Sequence, residues 1–93
     1  MTPQEIIAQE ATKVGLTAAD LIGRSRIKRI VKARHWAMWR CRHELGMSLQ
    51  DIANVFNRKD HTTVLHAIRK IDLGHEYIEA QREKSYRSMG RSL

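Results

Sequence analysis

The chain has 93 residues, with 17 Lys+Arg against 10 Asp+Glu and a formal charge of +7. That length holds one domain and excludes a Rossmann domain, a TIM barrel or an enzyme carrying its own nucleotide-binding module. Apolar residues make up 42%, enough for one small core, and the single Pro and scarcity of alternating β-type segments read as all-helical.

In chain order, Thr2-Pro3-Gln4-Glu5 has the features of a helix start: a Thr N-cap, Pro at the first helical position and Glu three residues past the cap. Ile6, Ile7, Glu10 and Val14 follow, and Gly15 is placed to close the helix. Thr17-Ala18-Ala19-Asp20 opens a second, short helix with Leu21 and Ile22 turned inward and Gly23 at its end, so that residues 1–22 form an N-terminal helical pair. A basic segment, 24–34, comes next. It joins a connector to the start of a long helix over 30–45, in which Ile30, Ala33, Ala37, Met38, Cys41 and Leu45 recur at helical spacing and Gly46 is the cap. Trp36 and Trp39 lie on a flanking face of this helix, where core packing is expected and stacking on unpaired bases is the alternative. Ser48-Leu49-Gln50-Asp51 starts another helix through Phe56, Asn57–Asp60 breaks it, and Asp60 caps a further helix that ends near Gly74. A polar helix is expected over about 75–88, with a frayed tail to residue 93.

The rest of the composition narrows the chemistry. Cys41 has no partner for an internal disulfide and no second Cys for a zinc site, and on the inward stripe it reads as a buried structural thiol. The five His do not present the i, i+4 pair of a helical metal site, so no metal is expected. No P-loop, Ser-His-Asp, Cys-His or paired-carboxylate constellation occurs, so neither a cofactor nor catalysis is expected. No apolar run approaches the roughly 20 residues that span a bilayer, and the amphipathic, acidic N-terminus is unlike a signal peptide. We therefore expect a soluble, cytoplasmic, nucleoid-associated protein that is not an enzyme. The capped start right after Met1 suggests a natural beginning.

Charge is concentrated. Residues 1–22 sum to −2, 23–46 to +7, 47–74 to +1 and 75–93 to +1. Arg24, Arg26, Lys28, Arg29, Lys32, Arg34, Arg40 and Arg42 face one acid, Glu44, in that basic stretch. Such a run repels itself unless a polyanion neutralises it, which makes nucleic acid the expected partner. An anionic membrane is disfavoured because the stretch has no wide Leu/Phe face.

Residues 48–73 make a short helix, a four-residue turn and a second helix. In this arrangement the second helix enters the major groove and its first turn meets base edges. Thr62 and Thr63 each bring a methyl for the thymine C5-methyl and a hydroxyl for a base or phosphate, and His61 brings a ring N–H. Arg58 and Lys59 in the turn are placed for phosphates.

At this point the residues carry a family resemblance. The stretch 32–71 resembles the C-terminal DNA-binding domain of the bacterial replication initiator DnaA. Its most specific part is Asp60-His61-Thr62-Thr63-Val64-Leu65-His66-Ala67, which is similar to the signature D-H-[ST]-T-V-x-x-A. Ala37-Met38, the Ser48-Leu49-x-x-Ile52 start and Phe56 add support. The resemblance implies an all-α single domain of about five to six helices, with a long central helix followed by a helix-turn-helix in a Trp-repressor-like arrangement.

It also implies binding, as a monomer, to a short A·T-rich duplex box. His61, Thr62 and Thr63 would enter the major groove with Asp60 as helix cap. Arg26 and Lys28 of the basic loop would reach the minor groove. Arg24, Arg29, Lys32, Arg34, Arg58 and Lys59 would meet phosphates. Some positions depart from the family pattern. Ala33 replaces a Pro, His35 a Gln, Asn57-Arg58 a Gly-rich turn, and Lys28 and Lys59 replace arginines, which exchanges planar forks for point charges. The expected function is thus sequence-preferring duplex-DNA binding in replication initiation or its control. A small transcriptional regulator, an RNA or single-strand binder, and an interaction module that recruits a replication protein through 75–88 stand as alternatives. A detached domain of this kind would suit a prokaryotic or phage setting.

Overall fold

The computed structural model describes residues 1–74. The expected 75–88 helix and tail lie outside them. The described residues form five helices and no strand.

Helix α1 is Pro3–Lys13, with the Thr2 hydroxyl accepting from the Glu5 N–H at 3.2 Å. It stops where Gly15 takes a left-handed φ of +71° and the Leu16 N–H turns back to the Ala11 carbonyl at 2.8 Å. Helix α2, Ala18–Ile22, opens on a full capping box. Asp20 N–H donates to the Thr17 hydroxyl at 3.3 Å, and Thr17 N–H donates to the Asp20 carboxylate at 2.9 Å.

Helix α3, Lys28–Leu45, begins two residues earlier than the apolar periodicity indicates, so Lys28 and Arg29 belong to its first turn. Its N-cap, Ile27, offers no side-chain acceptor, and no apolar signal marks this start. The helix ends as expected at Gly46, whose φ of +65° lets Gly46 and Met47 N–H groups bond back to Arg42 and Cys41 carbonyls. Helix α4, Leu49–Val55, is capped by Ser48, whose hydroxyl accepts from Asp51 N–H at 3.1 Å. The fifth helix, α5, occupies 61–74 up to the limit of the described residues.

One core joins the five. Ile6, Ile7 and Ala11 of α1, Leu21 of α2, Ala33, Ala37, Met38 and Cys41 of α3, Ile52, Ala53 and Phe56 of the α4 region, and Val64, Ala67 and Ile68 of α5 form a single buried cluster. Helices α1, α2 and α4 all pack on α3, which is the central element. Burial pushes the Cys41 thiol up to about 11, as suits a structural thiol.

The one acid drawn into this frame is Glu10, 7% exposed, which accepts from Lys13 at 2.7 Å and from Arg40 at 3.0 Å. Arg40 also grips Glu44 through two bonds, 2.6 and 3.0 Å long. Trp39 packs against the core and donates its indole N–H to Asp72 at 2.7 Å, tying α3 to α5. Trp36 meets Trp39 edge-on, ring centres 5.7 Å apart, and remains half-buried.

Candidate nucleic-acid interface

The turn between α4 and α5 shows how this sequence manages without the glycines of a Gly-rich turn. Asn57 itself adopts a left-handed backbone, φ +54°, which Asn tolerates better than other side chains. The Asn57 N–H bonds to Asn54 carbonyl at 3.1 Å and the Arg58 N–H to Ala53 carbonyl at 2.7 Å, closing α4. Asp60 then accepts from the Thr62 N–H at 2.8 Å. That backbone hydrogen bond, more than any other contact, holds the Asp60 carboxyl below the usual carboxylate range. In the first turn of α5, His61 and Thr63 are exposed and Thr62 is half-buried, while Val64 is fully buried and fixes the rotation of the helix. The His61 ring lies 3.8 Å from the Asp60 carboxylate. Lys59 is exposed beside them.

The basic connector between α2 and α3 has Arg24 and Arg26 exposed, and Lys28, Arg29 and Lys32 continue the exposed row on α3. None of the five forms an ion pair with an acid among the described residues.

Two of the expected phosphate ligands are employed otherwise. Arg34 is 7% exposed, and it donates from Nε to the Leu21 carbonyl at 2.6 Å and from both terminal nitrogens to the Ser25 carbonyl at 3.2 Å. Arg58 reaches from the turn to the Ile22 carbonyl at 3.1 Å, the Gly23 carbonyl at 2.8 Å and its neighbour Phe56 carbonyl at 2.8 Å. Helix α2 ends in carbonyls that lack helical partners, and the two guanidinium forks supply donors for them. Burial, and for Arg34 the nearby Arg58 charge, lower both pKa values from the ordinary arginine value. Arg34 and Arg58 thus act as struts in the fold, their guanidinium groups committed to backbone carbonyls. They fasten the basic connector to α3 and to the helix-turn-helix turn. Charge counting could not find this, because a cation within a basic run looks the same whether it meets solvent or a carbonyl. Arg40 and Arg42 are occupied as well, Arg40 by Glu10 and Glu44 and Arg42 by the Met47 carbonyl at 2.7 Å.

A further group was not singled out from sequence. His35 on α3 and Thr63, His66, Arg69 and Lys70 on α5 line a cleft of about 550 Å³ next to the exposed first turn. His35 is half-buried, and burial, with Lys70 and Arg34 close by, lowers its pKa. The only signal in the sequence was the i, i+3, i+7 spacing of 63, 66 and 70 on one helix face.

A buried α4–turn–α5 pair, packed on a longer preceding helix and presenting an exposed polar first turn, defines a helix-turn-helix domain. The family described as bacterial dnaA protein helix-turn-helix matches residues 3–71, and the chain belongs to that family. Among its relatives, the chromosomal replication initiator protein DnaA of Cutibacterium acnes is 48% identical over 71 residues, which is 76% of this chain and 14% of that protein. The protein of the same name from Pelobacter propionicus is 43% identical over 70 residues, 75% of this chain and 15% of the relative. That of Corynebacterium jeikeium is 38% identical over 71 residues, 76% of this chain and 12% of the relative. The chain thus spans about one seventh of the curated relatives it matches. No helix among the described residues is long and apolar enough to cross a membrane.

Proposed function

We propose that this chain binds duplex DNA with a preference for a short A·T-rich box and acts at replication initiation or in its control. The observation that supports this most is mechanical. The exposed turn His61–Thr63 and the exposed connector Arg24–Lys28 are held in one rigid unit by Arg34 and Arg58. On this reading His61, Thr62 and Thr63 meet base edges in the major groove, and Asp60 positions them as the cap. Arg26 and Lys28 enter the adjacent minor groove, where a narrow A·T-rich groove attracts cations. Arg24, Arg29, Lys32 and Lys59 neutralise phosphates, joined on the α5 side by Arg69 and Lys70. The interface needs one copy of the chain per box.

The test is fluorescence anisotropy with a labelled duplex bearing a DnaA-type box and with a scrambled duplex, at two salt concentrations. A preference of about a hundredfold or more that persists at the higher salt is expected. His61→Ala or Thr63→Ala should weaken binding to the box by about 1–3 kcal/mol and leave scrambled DNA nearly unaffected. Equal losses on both duplexes would remove these residues from the groove.

A further inference from the structure

Helices α1 and α3 leave between them an open cleft of about 560 Å³, distinct from the His35 cleft, lined by Glu10, Lys13, Val14, Arg29, Lys32, Ala33 and Trp36. Its volume lies within the range of small-ligand sites, roughly 300–1,000 Å³. The apolar part is the half-buried Trp36 ring, with Val14 and Ala33 beside it. The rim is cationic. Arg29 and Lys32 are exposed and lie one helical turn apart on α3, while Lys13 faces them from the end of α1. The single acid, Glu10, is already neutralised by Lys13 and Arg40, so it does not repel an incoming anion.

From this arrangement we propose that the α1–α3 cleft binds a nucleotide unit, its base stacked on Trp36 and its phosphate held by Arg29 and Lys32. An aromatic face ringed by cations is how proteins hold unpaired nucleotides, since every base has a π-face and every phosphate a charge. A peptide groove would instead offer a longer apolar stripe with anchors at successive helical turns. The edge-on contact of Trp36 with Trp39 braces the ring while leaving part of it open to the cleft. The site is separate from the helix-turn-helix turn, and it shares only Arg29 and Lys32 with the proposed duplex contacts. It adjoins the basic connector through Arg29, so an unpaired strand leaving a bound duplex could run into it.

The experiment is a titration of the full chain, ¹⁵N-labelled, followed on the Trp36 indole N–H resonance, with Trp36→Phe used to assign the two indole peaks. Five probes are compared: thymidine monophosphate, a pentathymidylate strand, a blunt duplex, hexaglutamate and inorganic phosphate. Saturable movement of the Trp36 resonance with pentathymidylate, weakened roughly fivefold or more by Trp36→Ala and also by the exposed substitution Lys32→Glu, is the expected result. If the monophosphate acts equally well, free nucleotide is the source of the ligand. If only the strand binds, the source is single-stranded nucleic acid. The proposal is overturned if hexaglutamate or inorganic phosphate moves Trp36 as far as the strand does, if only the duplex moves it, or if no probe does. Duplex anisotropy of Trp36→Ala, a residue outside the proposed duplex contacts, keeps the two readings apart, because failure at Trp36 with intact box binding condemns the cleft alone.

Discussion

Replacing Arg34 by Ala separates a strut from a phosphate ligand. The side chain donates to two carbonyls, Leu21 at 2.6 Å and Ser25 through a fork at 3.2 Å, from a position 7% exposed. A hydrogen bond from a charged donor contributes about 1.5–3 kcal/mol, and a buried carbonyl left without a donor loses about as much. The Leu21 carbonyl bond is buried and the Ser25 bonds are only partly so, which lets water replace some of the second loss. The expected cost is about 2–4 kcal/mol of folding stability, which for a domain of this size lowers Tm by roughly 10 °C or more. Urea or thermal unfolding followed by circular dichroism reads it. The companion measurement is the slope of log Kd against log salt on duplex DNA. A lost phosphate contact reduces that slope by about 0.9. Arg34→Ala should leave the slope nearly unchanged under conditions where the variant is folded, whereas Lys32→Ala, at an exposed residue of the proposed phosphate set, should reduce it by about 0.9 with an unaltered Tm. Arg34→Lys keeps the charge but not the fork, and should fall between wild type and Ala in stability. A wild-type Tm for Arg34→Ala together with a slope reduced by one contact would refute the strut and restore the phosphate role.

Three other outcomes follow from the same coordinates. Asn57→Ala places a Cβ-bearing residue without Asn's local tolerance at φ +54° and should cost about 1 kcal/mol in denaturant unfolding, while Asn57→Gly should stay within about 0.5 kcal/mol of wild type. Equal stabilities for Ala and Gly would show that the left-handed conformation is not retained. Cys41, buried and with its thiol pushed up to about 11, should resist iodoacetamide at pH 8 in the folded chain and react fully in urea, as mass spectrometry would record; fast labelling of folded protein would contradict the burial. His35 has a folded pKa below its unfolded value of about 6.5, because burial and the Lys70 and Arg34 charges oppose its protonation. The unfolded chain therefore binds the proton more readily, and stability should fall as pH drops through about 6.5, levelling once the folded pKa is passed. His35→Gln should remove that part of the pH dependence, and an unchanged pH profile would refute the assignment.

What was legible in the sequence was legible for local reasons. Thr2-Pro3, the Thr17–Asp20 box, Ser48 and Asp60 are short-range caps, and the structure makes a side-chain cap bond at each. Gly15 and Gly46 mark helix ends because only a residue free to adopt positive φ can turn the chain there. The inward row of α3 and the core assignment of Cys41 follow from a 3.6-residue period. The start of α3 at Lys28 was not legible, since its first turn is charged and Ile27 is no cap. Nor were the roles of Arg34 and Arg58. Apart from the neighbouring Phe56 carbonyl, their acceptors are backbone carbonyls 9 to 36 residues away, and a carbonyl has no letter in the sequence. The cleft around His35 was missed for a related reason: it exists only where α3 and α5 come together.

The commitment of two arginines to backbone carbonyls changes the proposed interface more than it changes its charge. Withdrawing Arg34 and Arg58 from the proposed phosphate set removes one cation from α3 and one from the turn, and on the proposed reading Arg69 and Lys70, which line a cleft with Thr63, supply as many on the α5 side. A salt slope measures the number of phosphates neutralised and is blind to that relocation. The two struts matter for the connector, which would otherwise be five residues (23–27) of flexible, self-repelling chain between α2 and α3. Ordering it only on contact with DNA would cost backbone and side-chain entropy at the moment of binding. Arg34 and Arg58 order it beforehand, against carbonyls that needed donors in any case. The connector keeps both of its own charges, Arg24 and Arg26, and gains a fixed position relative to the His61–Thr63 turn. A preference for particular base pairs depends on that fixed distance, because two contacts on one duplex reinforce each other only when their spacing is built in before either forms.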